Sequence, residues 1–157
     1  RVWHEAKKKM FDGIDEISEY AKSKNVIIAI ETEGSLRKKK HLLMQRPEEY
    51  IEFKSRYKPE DIGINLNIGH LNLAAKAFKF DKSKFVDSIE DYILAMELSH
   101  NDGREDQHLP LRSPAWYWEL IHDSRFARAH KILEFRNTPI KDVMESIELF
   151  NGQAKII

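Results

Sequence analysis

Across residues 2–24 the apolar residues Val2, Ala6, Met10, Ile14, Ile17 and Ala21 return at spacings of three and four. That period predicts an amphipathic helix, with Gly13 as its weak point and Asn25 as its stop. The period then changes. Residues 26–30 are an unbroken apolar, largely β-branched run closed by Glu31, the habit of a strand covered by helices on both faces. The alternation repeats down the chain. Pro47 opens a helix over 47–57 at its favoured first-turn position, and Glu48 and Glu49 suit the positive end of the helix dipole. Strands are predicted over 62–68, 93–99 and 131–135, and helices over 81–92, 114–126 and 139–150, the last with Thr138 as candidate N-cap. With no block of strands alone, the order favours about four parallel βα units. Half a barrel and a small open sheet share that pattern.

Composition narrows the function classes. The 157 residues are 41% hydrophobic and 33% charged, with 26 basic and 26 acidic residues, as expected of one soluble domain spanning 1–157 or part of a larger one. A neutral total disfavours a dedicated nucleic-acid binder, which needs a basic surplus against phosphate, although a local basic cleft could hide in it. With no cysteine, disulfides and thiolate metal sites are out, so any metal must sit on nitrogen and oxygen. No apolar run approaches the roughly 18 residues of a membrane span, and no signal-like start is visible; a cytoplasmic location is the default. Arg1 is not a start methionine and leads straight into helical pattern, which reads as a fragment.

The polar residues choose between the two architectures. Glu31 ends the first predicted strand, Asn67 and His70 the second, Glu97 and His100 the third, and Glu134 the fourth. In a barrel, the carboxyl ends of the strands ring the active site. Carboxylates and imidazoles converging there suit a divalent ion with mixed ligands. After the third strand come Asn101-Asp102-Gly103 and Asp106-Gln107-His108. An Asp-x-His pair on a loop can aim both side chains at one ion, and Gly103 lets the loop turn sharply.

At these strings the sequence resembles the xylose isomerase-like TIM-barrel superfamily, which includes sugar isomerases and epimerases and the endonuclease IV type of AP endonuclease. The resemblance covers essentially the whole chain but only the C-terminal half of the family's (β/α)8 barrel. "VIIAIET" is similar to the fifth strand, ending in a metal-binding glutamate, here Glu31; "INLNIGH" to the sixth; "ELSHNDG" with "DQH" to the seventh and its loop; "ILEF" to the eighth, ending in the last metal glutamate, Glu134. Two positions depart from the family pattern. Asn67 stands where a metal-binding aspartate is expected, and an uncharged amide should weaken binding. Counting back from Gly103 puts Glu97 at the family's histidine position and His100 at its aspartate position. In a second register His100 fills the histidine place; the distance to Asp106 and His108 favours the first.

The resemblance implies a metal set drawn from Glu31, Asn67, His70, Glu97, His100, Asp106, His108 and Glu134. It implies Glu31 and Glu134 as catalytic proton-transfer groups, and His70 and His108 as holding substrate hydroxyls. The ion could be manganese, magnesium, cobalt or zinc. Three functions are open: a sugar or sugar-phosphate isomerase or epimerase acting on a small carbohydrate, an AP-endonuclease-like phosphodiester hydrolase, and a non-catalytic relative with an altered site. A half barrel exposes apolar edge strands, so the chain is expected to form a homo-oligomer or to pair with an N-terminal half barrel. Bland readings suit the rest. His4, His41, His122 and His130 are read as surface residues, the run Arg37-Lys38-Lys39-Lys40-His41 as a solvated loop, and two of Trp116, Tyr117 and Trp118 as packing residues.

Overall fold

The computed structural model describes residues 2–36 and 42–153, so the basic run 37–41 lies outside the described residues. Helix α1 (Val2–Ser23) buries the stripe Phe11, Ile14 and Ala21. Strand β1 (Ile28–Glu31) follows, and α2 (Pro47–Arg56) begins at Pro47 as predicted. Glu49 does more than favour the helix dipole. Its buried carboxylate accepts hydrogen bonds from the backbone N–H groups of Met44, Gln45 and Arg46 at 3.1, 2.9 and 2.9 Å, closing the loop between β1 and α2 onto the helix.

Strand β2 (Ile62–Asn67) runs directly into α3 (Ile68–Phe78). Then come α4 (Lys82–Ile89), capped by Asp81, and β3 (Ile93–Leu98). The short α5 (Trp118–Ile121), β4 (His130–Leu133) and α6 (Ile140–Gln153) complete the chain. The four strands are all parallel and lie in the order β1-β2-β3-β4, each beside its predecessor in sequence. Glu31 pairs in register with Asn65, and Asn67 with Glu97. The helices cover a core in which Phe53, Ile62, Ile64, Leu66 and Met96 are essentially fully buried. Among the described residues no helix is long and apolar enough to cross a membrane.

Four expectations change. Strand β1 starts at Ile28, where pairing with Ile62 begins; Val26, whose N–H still bonds to the Ala21 carbonyl of α1, and Ile27 precede it at 53% and 54% exposure. Helix α3 was not predicted, because nearly every position in it is buried, polar His70 included, and burial on most sides blurs the amphipathic period. The predicted helix over 114–126 is instead α5 and a 3-10 turn, Ser124–Phe126. At the start of α5 the Tyr117 hydroxyl and the Trp118 indole are bound to the backbone of Arg112, and Asp123 caps the second turn. Finally, the Thr138 hydroxyl donates back to the Arg136 carbonyl and does not cap α6.

Candidate metal centre at the strand ends

The site grows from the junction of β2 and α3. Asn67 is the N-cap of α3: its Oδ1 accepts from the His70 backbone N–H at 3.0 Å, which satisfies a helix-end donor. Its own N–H donates to Thr32 Oγ1 at 3.0 Å. With the amide oxygen committed, Nδ2 faces the strand-end carboxylates. It lies 3.0 Å from Glu31 Oε1, 3.0 Å from Glu97 Oε2 and 3.3 Å from Glu134 Oε2. Asn65, two residues earlier on the same face of β2, donates to Glu97 Oε1 at 2.6 Å. Four predicted residues, Glu31, Asn67, Glu97 and Glu134, therefore meet in one ring.

A second cluster stands beside the ring. His70 Nδ1 lies 2.9 Å from the Thr32 carbonyl and 3.2 Å from Glu31 Oε1, and its Nε2 lies 3.4 Å from Asp106 Oδ1. His108 mirrors it, with Nδ1 2.9 Å from Glu134 Oε2 and Nε2 3.0 Å from the same Asp106 oxygen. The two rings are nearly perpendicular. Several contacts fix the loop that carries Asp106 and His108. His100 and Leu109 pair through two backbone hydrogen bonds, Lys76 Nζ holds the Gly103 carbonyl, and Arg136 binds the Asp106 carbonyl. His108 sits at φ +48°, a left-handed conformation uncommon outside glycine and often found at functional sites. Gly34 packs so closely under His70 that a Cβ there would lie 2.0 Å from the His70 carbonyl oxygen; only glycine fits.

Charge follows geometry. The His70 hydrogen bond holds Glu31 below the ordinary carboxylate value, against the opposing effect of burial. Burial, with the nearby charges of Glu31 and Glu134, pushes Glu97 up despite the Asn65 hydrogen bond. For His70, burial favours the neutral ring, but the Glu31 and Thr32 hydrogen bonds and the charge of Asp106 outweigh it and raise the pKa to about 9 from 6.5. A folded-state pKa above the unfolded one stabilises fully below the unfolded value, and that stability is lost as pH rises through the folded one. In chelator, the urea midpoint is therefore expected to fall between pH 6.5 and about 9, by a contribution on the order of 3 kcal/mol. A His70→Gln variant should lack this slope.

Two places could receive a divalent ion. His70, Asp106 and His108 offer one ligand atom each, all within 4.8 Å of one another. Both imidazoles have Nδ1 anchored on a carboxylate, which leaves Nε2 as the coordinating atom, the arrangement that supports histidine ligands. This set fits a metal. The ring does not fit as it stands, because Asn67 turns N–H rather than oxygen toward the carboxylates.

His100 is outside both clusters. Its ring packs edge-on against Tyr117 and its buried Nδ1 has no hydrogen-bond partner. His4 and His130 are exposed, but His122 is half-buried and stacked on Trp118. Tyr117 and Trp118 are buried, whereas Trp116 lies under Lys82 Nζ, 3.6 Å from its ring centre. Asn65 and Thr32 escaped the sequence reading. Asn65 was marked by standing two residues before Asn67; Thr32 acts partly through its backbone, which leaves no sequence signal.

Residues 3–152 match the family model described as xylose isomerase-like TIM barrel. The uncharacterized protein MJ1311 of Methanocaldococcus jannaschii is 22% identical over 151 residues, covering 94% of this chain and 49% of that protein. The crystal structure of a D-tagatose 3-epimerase-like protein superposes with a TM-score of 0.73 at 21% identity, over 93% of this chain and 53% of that one. A xylose isomerase candidate from Rhodospirillum rubrum gives a TM-score of 0.65 at 14% identity, over 90% of this chain and 51% of that one. The chain thus spans about half the length of the relatives it matches, and its four-stranded parallel sheet corresponds to about half of a TIM barrel.

Proposed function

The chain belongs to the xylose isomerase-like TIM-barrel family, and from that premise we propose that it carries the metal-binding, proton-transferring site of a sugar or sugar-phosphate isomerase or epimerase. The observation that carries this reading is the pairing of each imidazole with a strand-end carboxylate. Glu31 stands behind His70 and Glu134 behind His108, and both Nε2 atoms turn to Asp106. His70, Asp106 and His108 would hold a divalent manganese, magnesium, cobalt or zinc ion. When bound, the ion supplies polarisation of a sugar carbonyl, which acidifies the neighbouring C–H.

The chain's own residues do the rest. Glu31, held ionised by His70, is the proton acceptor. Glu134, bonded to the same Asn67 amide as Glu31, is the second proton-transfer group. Asn65 and Asn67 fix Glu97 between them. A cavity of about 460 Å³ opens beside His70 and Asp106, walled also by Glu33, Ser35, Leu42 and Arg104. Glu31 and Glu134 are not among its walls, so it would take the part of a small carbohydrate remote from the reacting carbon. The edges of β1 and β4 are where a further half barrel would complete the ring.

The test is exchange of the substrate's C–H with solvent. The whole protein, loaded with Mn²⁺ in deuterium oxide, is expected to label the carbon beside the carbonyl of at least one sugar in a panel of ketoses, aldoses and their phosphates. Glu31→Gln and Glu134→Gln should each lower the labelling rate by about a hundredfold or more. An unlabelled panel, or labelling indifferent to both substitutions, would sink the proposal. A phosphodiesterase reading draws on the same His–Asp–His set, which also suits hydroxide generation. The net charge of +0 weighs against a nucleic-acid substrate, and an abasic-site duplex run beside the sugars separates the two.

A further inference from the structure

We propose that the Asn67 side chain itself fills the place a cation would take among Glu31, Glu97 and Glu134, so that this ring is closed to divalent metal and is held together by amide N–H groups instead. The orientation of the amide is the first support. Asn67 is fully buried, and its Oδ1 is committed to the His70 backbone N–H at the start of α3. Turning the amide over would set –NH₂ against that N–H and strand a buried donor. The two Nδ2 hydrogens are therefore fixed toward the carboxylates.

The second support is occupancy. Both oxygens of Glu97 already accept from amides, Oε1 from Asn65 at 2.6 Å and Oε2 from Asn67 at 3.0 Å. Glu31 Oε1 is shared between Asn67 and His70, and Glu134 Oε2 between Asn67 and His108. An ion entering the ring would meet the positive end of the amide dipole and would have to break these bonds. An aspartate at 67 would differ in one respect. One oxygen would still cap α3, while the other would face the carboxylates as a ligand atom.

The amide also joins three separate places: β1 through Glu31, β3 through Glu97, and the end of β4 through Glu134. Since Glu31 and Glu134 are the groups behind His70 and His108, Asn67 is a positioning residue for the second cluster. This positioning role rests on the metal reading given above; the closed ring does not.

The test measures Mn²⁺ binding by calorimetry on the whole protein. With Asp106→Ala removing the neighbouring cluster, the Asn67 protein should bind no Mn²⁺ through its intact ring. Adding Asn67→Asp should raise Mn²⁺ affinity by at least roughly tenfold, and Glu97→Gln should remove the gain. Two results overturn the proposal: Mn²⁺ bound in the Asp106→Ala protein and lost on Glu97→Gln, or no gain from a folded Asn67→Asp variant. If that variant does not fold, the wild type decides. Its Asn67 side-chain N–H protons should exchange slowly with solvent and stay away from the free-amide position when Mg²⁺ is added, whereas their release to that position overturns the proposal. A wild type that binds no metal, together with an Asn67→Asp variant that does, contradicts the His70–Asp106–His108 reading and supports this one.

Discussion

Asp106→Ala is expected to weaken Mn²⁺ or Zn²⁺ binding by more than a hundredfold. One oxygen of Asp106 lies 3.0 Å from His108 Nε2 and 3.4 Å from His70 Nε2, so its removal takes away both a ligand and the only negative charge in that set. Loss of an outer carboxylate such as Glu134 should cost less, about 10–100-fold by Glu134→Gln, because the imidazole remains and only its orientation loosens. Proton linkage gives a second readout. His70 stays protonated up to about 9, and a metal must displace that proton. Affinity should therefore climb about tenfold per pH unit below that value. Calorimetry in two buffers of different ionisation enthalpy should record close to one proton released at neutral pH. Asp106→Ala, by removing a charge that supports the imidazolium, should move this window to lower pH.

The largest loss of stability is expected from Glu49→Ala. Its carboxylate accepts three backbone N–H groups, from Met44, Gln45 and Arg46, and it is only 5% exposed. Hydrogen bonds to a charged acceptor contribute more than neutral ones, and buried donors left unpaired carry a penalty of their own. Partial rescue by water keeps the expected cost at about 3–5 kcal/mol, or a fall in Tm of about 10 °C for a chain of this size. Glu49→Gln should recover part of it, since one amide oxygen can serve some of the donors. Thermal and urea unfolding measure both.

Much of the fold was legible because β-branched runs and amphipathic helices leave strong periods. The strands ending at Glu31, Asn67 and Leu98 sit where those runs predicted, to within a residue or two. Periodicity failed where burial is uniform, as in α3, and where side chains bind the local backbone, as around Tyr117 and Trp118. The candidate site was legible for a different reason. Polar residues that close apolar strands stand out in sequence, and Glu31, Asn67, Glu97 and Glu134 do meet in space. Their roles were not legible. An N-cap and a metal ligand both call for a short polar side chain with an oxygen, so only the hydrogen bond from the His70 backbone reveals which task Asn67 performs. His100 illustrates the converse, since its place beside Asp106 in sequence is undone by the turn that pairs it with Leu109.

An anomalous-difference map from crystals of the protein grown with Zn²⁺ or Mn²⁺ tests most directly where the metal binds. One strong peak is expected, bonded at about 2.0–2.2 Å to His70 Nε2, Asp106 Oδ1 and His108 Nε2, with no density among Glu31, Asn67, Glu97 and Glu134. A peak inside that carboxylate ring, with the three residues of the neighbouring cluster unbound, would contradict this placement.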